Sequence, residues 1–555
     1  MSGMSGATNA RRILIVGGVA GGASAAAKAR RVGEQHEIHV FERGPYISFA
    51  NCGLPYHIAG DIPDRGKLVV MTPEKLASRS NIVTHLRHEV VGIDRDRKVI
   101  QVRDGAGNER EERYDKLVLS QGARPFVPEI PGVGLPHVFT LRDIPDMDRI
   151  IGFLEERRPQ RAVVVGGGFI GLEMAEAFYH RGMSVTVVER NGHLLPVLDG
   201  DMGASLTERT IRERFRVETR VVVKGFSESG VELEDGRVLE ADVILLSVGV
   251  RAEVELARRC GLEIGETGGI RTNGRMETSD PDIYAVGDAA ETVHSVSGGR
   301  ARIALAGPAN RQGRVAGANA AGARMVFPGV QGTSIVRVLD TVAGFSGINS
   351  REAKRLGWTV FTSVTRDFSH AHYYPGAKPM FVKLIAEEGS GRLLGAQVVG
   401  EVGVDKRVDV LATAIAARMS VFDLENLDLA YSPPFGSAND PVNVAGFVGA
   451  HIARGDVATV DSSVWRPSGE VVLDVRDSDE LAEWGWIRGA LNIPLDSLRT
   501  RLSEIPEGCE VVTYCQKGQR GYLAACILQG MGRSVKNLRG GFLQARLNGM
   551  PVERG

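Results

Sequence analysis

Ala162-Val163-Val164-Val165-Gly166-Gly167-Gly168-Phe169-Ile170-Gly171, followed at the end of the next apolar run by Glu189, is the stretch that sets the fold class. Three valines enter a glycine turn, a helix-forming segment follows, and Ser184-Val185-Thr186-Val187-Val188-Glu189 reads as a second buried strand. Gly166, Gly168 and Gly171 match the Gly-x-Gly-x-x-Gly spacing. Such glycines let the backbone approach a pyrophosphate seated on the helix N-terminus, while the carboxylate accepts from ribose hydroxyls. The turn, including Phe169 and Ile170, is therefore expected to bind a nicotinamide dinucleotide. Glu189 would repel a 2′-phosphate, so NADH is expected over NADPH, and the adjacent Arg190 leaves NADPH open.

Working toward the N-terminus, the same β-turn-α opening recurs as Ile13-Leu14-Ile15-Val16-Gly17-Gly18-Val19-Ala20-Gly21-Gly22. It departs from the fingerprint at Val19. Gly17, Gly21 and Gly22 remain, and Glu42, followed by Arg43, ends the next strand. A third strand and turn, Ile283-Tyr284-Ala285-Val286-Gly287-Asp288, offers a carboxylate that could accept from a ribityl hydroxyl, although a Gly-Asp pair is also an ordinary turn. The pattern predicts an α/β chain with two doubly wound dinucleotide-binding domains. The first covers residues 11–122 and 252–330, the second 123–251, with the Pro- and Gly-rich stretch 123–136 as a crossing.

At 555 residues the chain exceeds one ordinary core. Lys plus Arg number 67 against 68 Asp plus Glu, a balance that argues against a nucleic-acid partner and favours small molecules. Five cysteines form neither a disulfide framework nor a zinc motif, so no metal is expected and a reducing cytoplasm is. No apolar run is long enough to cross a bilayer, and residues 1–10 read as a mobile leader. Residues 331–453 show an α+β pattern, 454–466 a polar linker, and 467–555 a compact α/β unit.

The stretch Ser48-Phe49-Ala50-Asn51-Cys52-Gly53-Leu54-Pro55-Tyr56-His57 places a single thiol shortly after the first turn. The order of these segments resembles the flavoprotein disulfide reductases over about residues 11–450. That resemblance implies FAD on the first unit, NAD(P)H on the second, and a dimerisation domain that completes a second subunit's active site. The helix starting near Pro308 would point its positive end at the flavin. The commoner branch carries a second cysteine where this chain has His57. The single-cysteine pattern resembles the coenzyme A-disulfide reductases. By that resemblance Cys52 is the redox thiol, and Ser24, Lys28, Arg31, Ser48 and Asn51 contact coenzyme A. Tyr373 and Tyr431 reach the cysteine across a homodimer. Asn439 stands where this branch often has lysine. Lys28 and Arg31 could equally be a solvated helix face, and the two tyrosines interface packing.

Toward the C-terminus, Cys515-Gln516-Lys517-Gly518-Gln519-Arg520-Gly521 follows an apolar strand and opens a helix expected over 522–531. A thiol there faces backbone N–H groups and a helix N-terminus, which favour thiolate or persulfide. Residues 467–555 resemble a rhodanese domain, which implies catalytic roles for Cys515 and Arg520. Cys526 reads as core. The whole resembles coenzyme A-disulfide reductase–rhodanese fusion proteins, implying NADH-dependent reduction of coenzyme A persulfide, coenzyme A disulfide or polysulfide. An NADH peroxidase or oxidase cycling Cys52 through sulfenic acid is the alternative. Ala20 counts against it, because such enzymes often carry histidine in the first turn. A non-catalytic redox-sensing sulfur carrier is a third reading.

Overall fold

The computed structural model describes residues 9–211 and 214–554. The leader expected over 1–10 lies outside the described residues except for Asn9 and Ala10. The chain forms two compact units, Met1–Arg190 with Val221–Gly332, and Asn191–Arg220 with Thr333–Gly555.

In the first unit the strands Ile283–Ala285, Lys116–Leu119, Arg12–Val16, Glu37–Glu42 and Val83–Leu86 form one parallel sheet in that order. Ile13, Leu14 and Ile15 are completely buried, as a central parallel strand covered on both faces requires. A second sheet orders Arg216–Thr219, Ser184–Glu189, Arg161–Val165, Val243–Leu246 and Val138–Phe139, its strands parallel from Ser184–Glu189 onward. The two passages between these sheets run side by side, Ala123–Pro125 pairing antiparallel with Val250–Ala252. The last glycine of each turn allows close contact between helix and strand. A Cβ on Gly22 would stand 1.8 Å from the Gly17 carbonyl oxygen, and one on Gly171 would stand 1.9 Å from that of Gly166.

In the second unit an antiparallel sheet runs Ser334–Val338, Thr341–Gly347, Leu393–Gly400, Pro379–Glu387 and Val360–Phe368. The C-terminal parallel sheet orders Thr459–Val460, Val535–Leu538, Val511–Tyr514, Val471–Asp474 and Leu491–Asn492. Residues 191–220 group with the second unit, although their strand Arg216–Thr219 stands next to Ser184–Glu189 in the second dinucleotide sheet. A buried ionic anchor lies at the start of this segment. Lys383 Nζ sits 2.8 Å from Asp201 and 3.0 Å from Asp199, and Gln544 Nε2 donates to Asp201 Oδ2 at 2.5 Å. The linker 454–466 is partly structured, since Thr459–Val460 pair with Asn537 and Leu538 as an edge strand. The helix after Cys515 starts at Gln519, with Gly518 as its left-handed cap, and it turns Cys526 outward, so Cys526 is exposed rather than core. Among the described residues no helix is long and apolar enough to cross a membrane.

Candidate functional site

Each dinucleotide turn is tied to the acid that ends its second strand. The Gly18 N–H donates to Glu42 Oε2 at 2.9 Å and the Gly44 N–H to Glu42 Oε1 at 2.8 Å. In the second turn the Gly167 N–H donates to Glu189 Oε2 at 2.9 Å. Val19 is the N-cap of the helix Ala20–Val32, and Gly168 that of Phe169–His180, so Ala20, Phe169 and Ile170 lie in first turns with free backbone N–H groups. Gly17, Gly21 and Gly166 shape the same two cradles. Pro308 lies in the first turn of Ala306–Ala320. Arg43 is an exposed ion-pair partner of Glu253 at 3.4 Å.

The first cradle fits a bound flavin dinucleotide. Both amide atoms of Gln121 and the Nε of Arg302 are buried without a hydrogen-bond partner, a costly state unless a ligand satisfies them. The backbone of Ser120 and Gln121 lies against Gly17 in the turn itself. Burial pushes the Asp288 carboxyl up, and Arg302 and Arg142 pull it back.

Cys52 sits in a 3-10 turn, Asn51–Gly53, immediately before the helix Leu54–Ala59. Asn51 Oδ1 accepts from the Cys52 N–H at 3.1 Å. Cys52 is open to solvent, yet its surroundings desolvate the sulfur enough to push the thiol pKa up, and Glu173 and Asp288 push it further. Ser48 has a left-handed backbone, φ 48°, held by its N–H on the Gly18 carbonyl at 2.9 Å. His57, at the place of a second thiol, is bonded through Nδ1 to the Ile62 carbonyl at 2.5 Å. Along the helix Ala20–Val32, Ser24 Oγ donates to Asn310 at 2.9 Å, Lys28 is half-buried and Arg31 is exposed.

In the second unit Tyr373 and Tyr431 share a hydrogen bond of 3.2 Å between their hydroxyls, both rings being exposed. That bond pushes the Tyr431 hydroxyl pKa up. Phe435, four residues after Tyr431, is 72% exposed. Cys515 is buried at the foot of its loop, and the Gly518 N–H donates to its Sγ at 3.1 Å. Arg520 is held by Glu480 at 2.6 Å and Asp477 at 3.3 Å, so its charge is already paired.

The pyridine nucleotide-disulphide oxidoreductase family model matches residues 11–313. The chain belongs to this family. The family's dimerisation domain matches residues 333–440 and a rhodanese-like domain matches 460–546. A solved structure titled reduced Bacillus anthracis CoADR-RHD has 43% identity and a TM-score of 0.95, with 98% of each chain covered. A NAD-dependent persulfide reductase from A. fulgidus has 38% identity and a TM-score of 0.90, covering 96% of this chain and 99% of that one. A CoA-dependent NAD(P)H sulfur oxidoreductase of Pyrococcus furiosus is 37% identical over 437 residues, 78% of this chain and 98% of its own.

The oxidoreductase also holds site residues that its sequence did not announce. Tyr56, four residues after Cys52, donates to Glu173 Oε1 at 3.1 Å. Burial pushes the Glu173 carboxyl up to about 7. Neither residue belongs to a turn motif, and only the packing of Leu54–Ala59 on Phe169–His180 makes them neighbours. Lys517, inside the Cys515 loop, has its Nζ 5.3 Å from the Phe368 ring centroid.

Proposed function

We propose that this protein uses NAD(P)H and FAD to reduce coenzyme A persulfide, coenzyme A disulfide or polysulfide through Cys52, with sulfane sulfur received on Cys515. The observation that carries this reading is the lone, open Cys52 beside a flavin cradle, with His57 bound to backbone where a second thiol would stand. A thiol with no disulfide partner among the described residues calls for an external one.

Bound FAD supplies the two-electron relay between nicotinamide and disulfide. Gly166 and Gly171 hold the backbone close to the nicotinamide dinucleotide, and Glu189 orients its ribose. Cys52 attacks one sulfur of the substrate and keeps a coenzyme A moiety as a mixed disulfide. Ser24, Lys28, Arg31, Ser48 and Asn51 bind that coenzyme A, the two cations toward its phosphates. Tyr373 and Tyr431 of a second copy of the chain hold a proton at the leaving thiolate, in a cytoplasmic homodimer. The balance is one hydride and one proton per S–S bond. Coenzyme A persulfide gives coenzyme A and hydrogen sulfide, and the disulfide gives two coenzyme A thiols.

Intact-protein mass tests the reading. The oxidised protein is expected to lose a coenzyme A-sized adduct on reduction, and Cys52→Ser to carry none. A one-oxygen adduct on Cys52 in its place would support the sulfenic acid chemistry of a peroxidase.

A further inference from the structure

The two exposed tyrosines of the second unit stand on separate loops, and one buried side chain joins the bases of both. Tyr373 lies in the turn that begins at Ser369, and Tyr431 in the segment that ends at Asp440, the N-cap of the helix Pro441–Arg454. Arg407, in the helix Val404–Ala416, reaches each base. Its Nη2 donates to the Ser369 carbonyl at 2.7 Å and to Asp440 Oδ2 at 2.7 Å, its Nε to Asp440 Oδ1 at 3.2 Å, and its Nη1 to the Gly403 carbonyl at 3.2 Å. Arg407 is 1% exposed and Asp440 3%, so the pair is sealed from water.

The rest of the base is built around the same contact. The Ala371 N–H donates to the Gly436 carbonyl at 2.9 Å, a direct backbone link between the two loops. The Tyr373 loop is closed by the Ser369 N–H on the Lys378 carbonyl at 2.8 Å and by the Lys378 N–H on Ser369 Oγ at 3.1 Å. His370 Nε2 donates to the Pro375 carbonyl at 3.3 Å, which in the neutral ring leaves Nδ1 to accept from the Ser369 hydroxyl at 3.0 Å. Asp440 also accepts from the Val442 N–H at 3.1 Å and from Lys406 Nζ at 3.3 Å. A Cβ on Gly403 would stand 2.4 Å from Arg407 Nη1, so a glycine at the helix entry leaves room for the guanidinium.

The tyrosine ends have far less to hold them. Among the described residues the Tyr373 and Tyr431 hydroxyls bond only each other, at 3.2 Å, and both rings are open to solvent. The spacing of the hydroxyls therefore follows from the spacing of the loop bases. A buried ion pair adds little net stability over an apolar replacement, because desolvation takes back most of the Coulomb gain. What it supplies here is direction. The planar guanidinium carries donors at fixed angles, whereas a lysine ammonium is a compact point charge that could pair with Asp440 without spanning to Ser369.

We infer that Arg407, held by Asp440, is the positioning residue that sets Tyr373 and Tyr431 within hydrogen-bond distance of each other for the reaction. The inference rests on the proposed part of the tyrosine pair at the leaving thiolate. In that step the S–S bond to the leaving thiol breaks, the thiolate departs with the electron pair, and one phenol gives it a proton. The second hydroxyl, still donating to the phenolate so formed, stabilises its charge until a proton returns from solvent. With the loop bases untied, each hydroxyl would face water and lose that partner. Arg407 is buried below the loops and acts on the chemistry only through them.

Fluorine NMR of full-length holoenzyme labelled with 3-fluorotyrosine reads the pair directly, the Tyr373 and Tyr431 resonances being assigned from their Phe variants. Tyr431 should titrate above an ordinary labelled phenol, because its bond to Tyr373 raises its pKa, and should fall back in Tyr373→Phe. Arg407→Lys retains the buried charge, so FAD content and Tm should stay near wild type while the Tyr431 titration falls as it does in Tyr373→Phe. Arg407→Met/Asp440→Leu, which removes both charges together, should give the same fall. In anaerobic reoxidation of the NADH-reduced protein by coenzyme A disulfide, Arg407→Lys should be about tenfold slower, with flavin reduction by NADH unchanged. Added to Tyr373→Phe/Tyr431→Phe it should cost nothing further, whereas a general loosening of the fold would add its own loss. An unchanged Tyr431 titration in both Arg407 variants, or a full further loss of rate on top of the tyrosine changes, would overturn the inference. A lowered titration with reoxidation at the wild-type rate would leave Arg407 as the positioning residue and remove the tyrosines from the chemistry.

Discussion

Tyr56 donates its hydroxyl to Glu173 Oε1 at 3.1 Å, joining the helix that follows Cys52 to the helix that opens the second dinucleotide turn. Burial pushes Glu173 up to about 7, and the hydrogen bond from Tyr56 only partly opposes it. Burial raises the Cys52 thiol pKa most and Glu173 raises it further, so ionisation of Glu173 adds to the cost of forming the thiolate.

Above pH 7 Glu173 carries charge and holds the Cys52 thiol pKa up. Replacing it by Gln removes that charge, so iodoacetamide should alkylate Cys52 in Glu173→Gln about two- to threefold faster at pH 8. The difference should vanish near pH 5.5, where Glu173 is already neutral. A folded pKa raised above the unfolded carboxyl value means stability that is full at low pH and lost as pH rises through about 7. The fall in Tm between pH 5 and pH 8 should be shallower in Glu173→Gln.

Tyr373 and Tyr431 share one hydrogen bond, so their losses should not add. Each Phe variant should reduce turnover about ten- to a hundredfold, and the double variant little more than the worse single one. Mixing Cys52→Ser with Tyr373→Phe/Tyr431→Phe, after dissociation and reassociation, should restore about a quarter of wild-type activity if the site is shared across a two-fold dimer. Unrecovered activity in verified heterodimers would place the tyrosines on their own subunit's cysteine or outside the chemistry.

Lys383 is buried between Asp199 and Asp201, and Gln544 of the C-terminal domain completes the cluster. Lys383→Met leaves two carboxylates facing each other in the interior and should cost roughly 3–5 kcal/mol. Adding Asp201→Asn should recover part of that loss, measured by denaturant unfolding of the second unit.

The glycine turns and their terminal acids were legible because the chemistry sits within one strand-turn-helix, where spacing alone fixes geometry. The Cys515 loop was legible for the same reason. Glu173 and Arg407 were not, since each gains its meaning from a neighbour far along the chain. Glu173 meets Tyr56 across 117 positions, and no local pattern encodes that. The grouping of residues 191–220 with the second unit was not legible, because it depends on Asp199 and Asp201 meeting Lys383 far along the chain. Cys526 was misread because a helix covered on one side keeps small apolar residues on its open face as well.

The most direct measurement is anaerobic stopped-flow absorbance of the NADH-reduced protein mixed separately with coenzyme A persulfide, coenzyme A disulfide, polysulfide, hydrogen peroxide and oxygen. Rapid flavin reoxidation by the coenzyme A substrates or polysulfide, abolished in Cys52→Ser, is the expected result. Rapid reoxidation by peroxide or oxygen alone, with the sulfur substrates inert, would contradict the account.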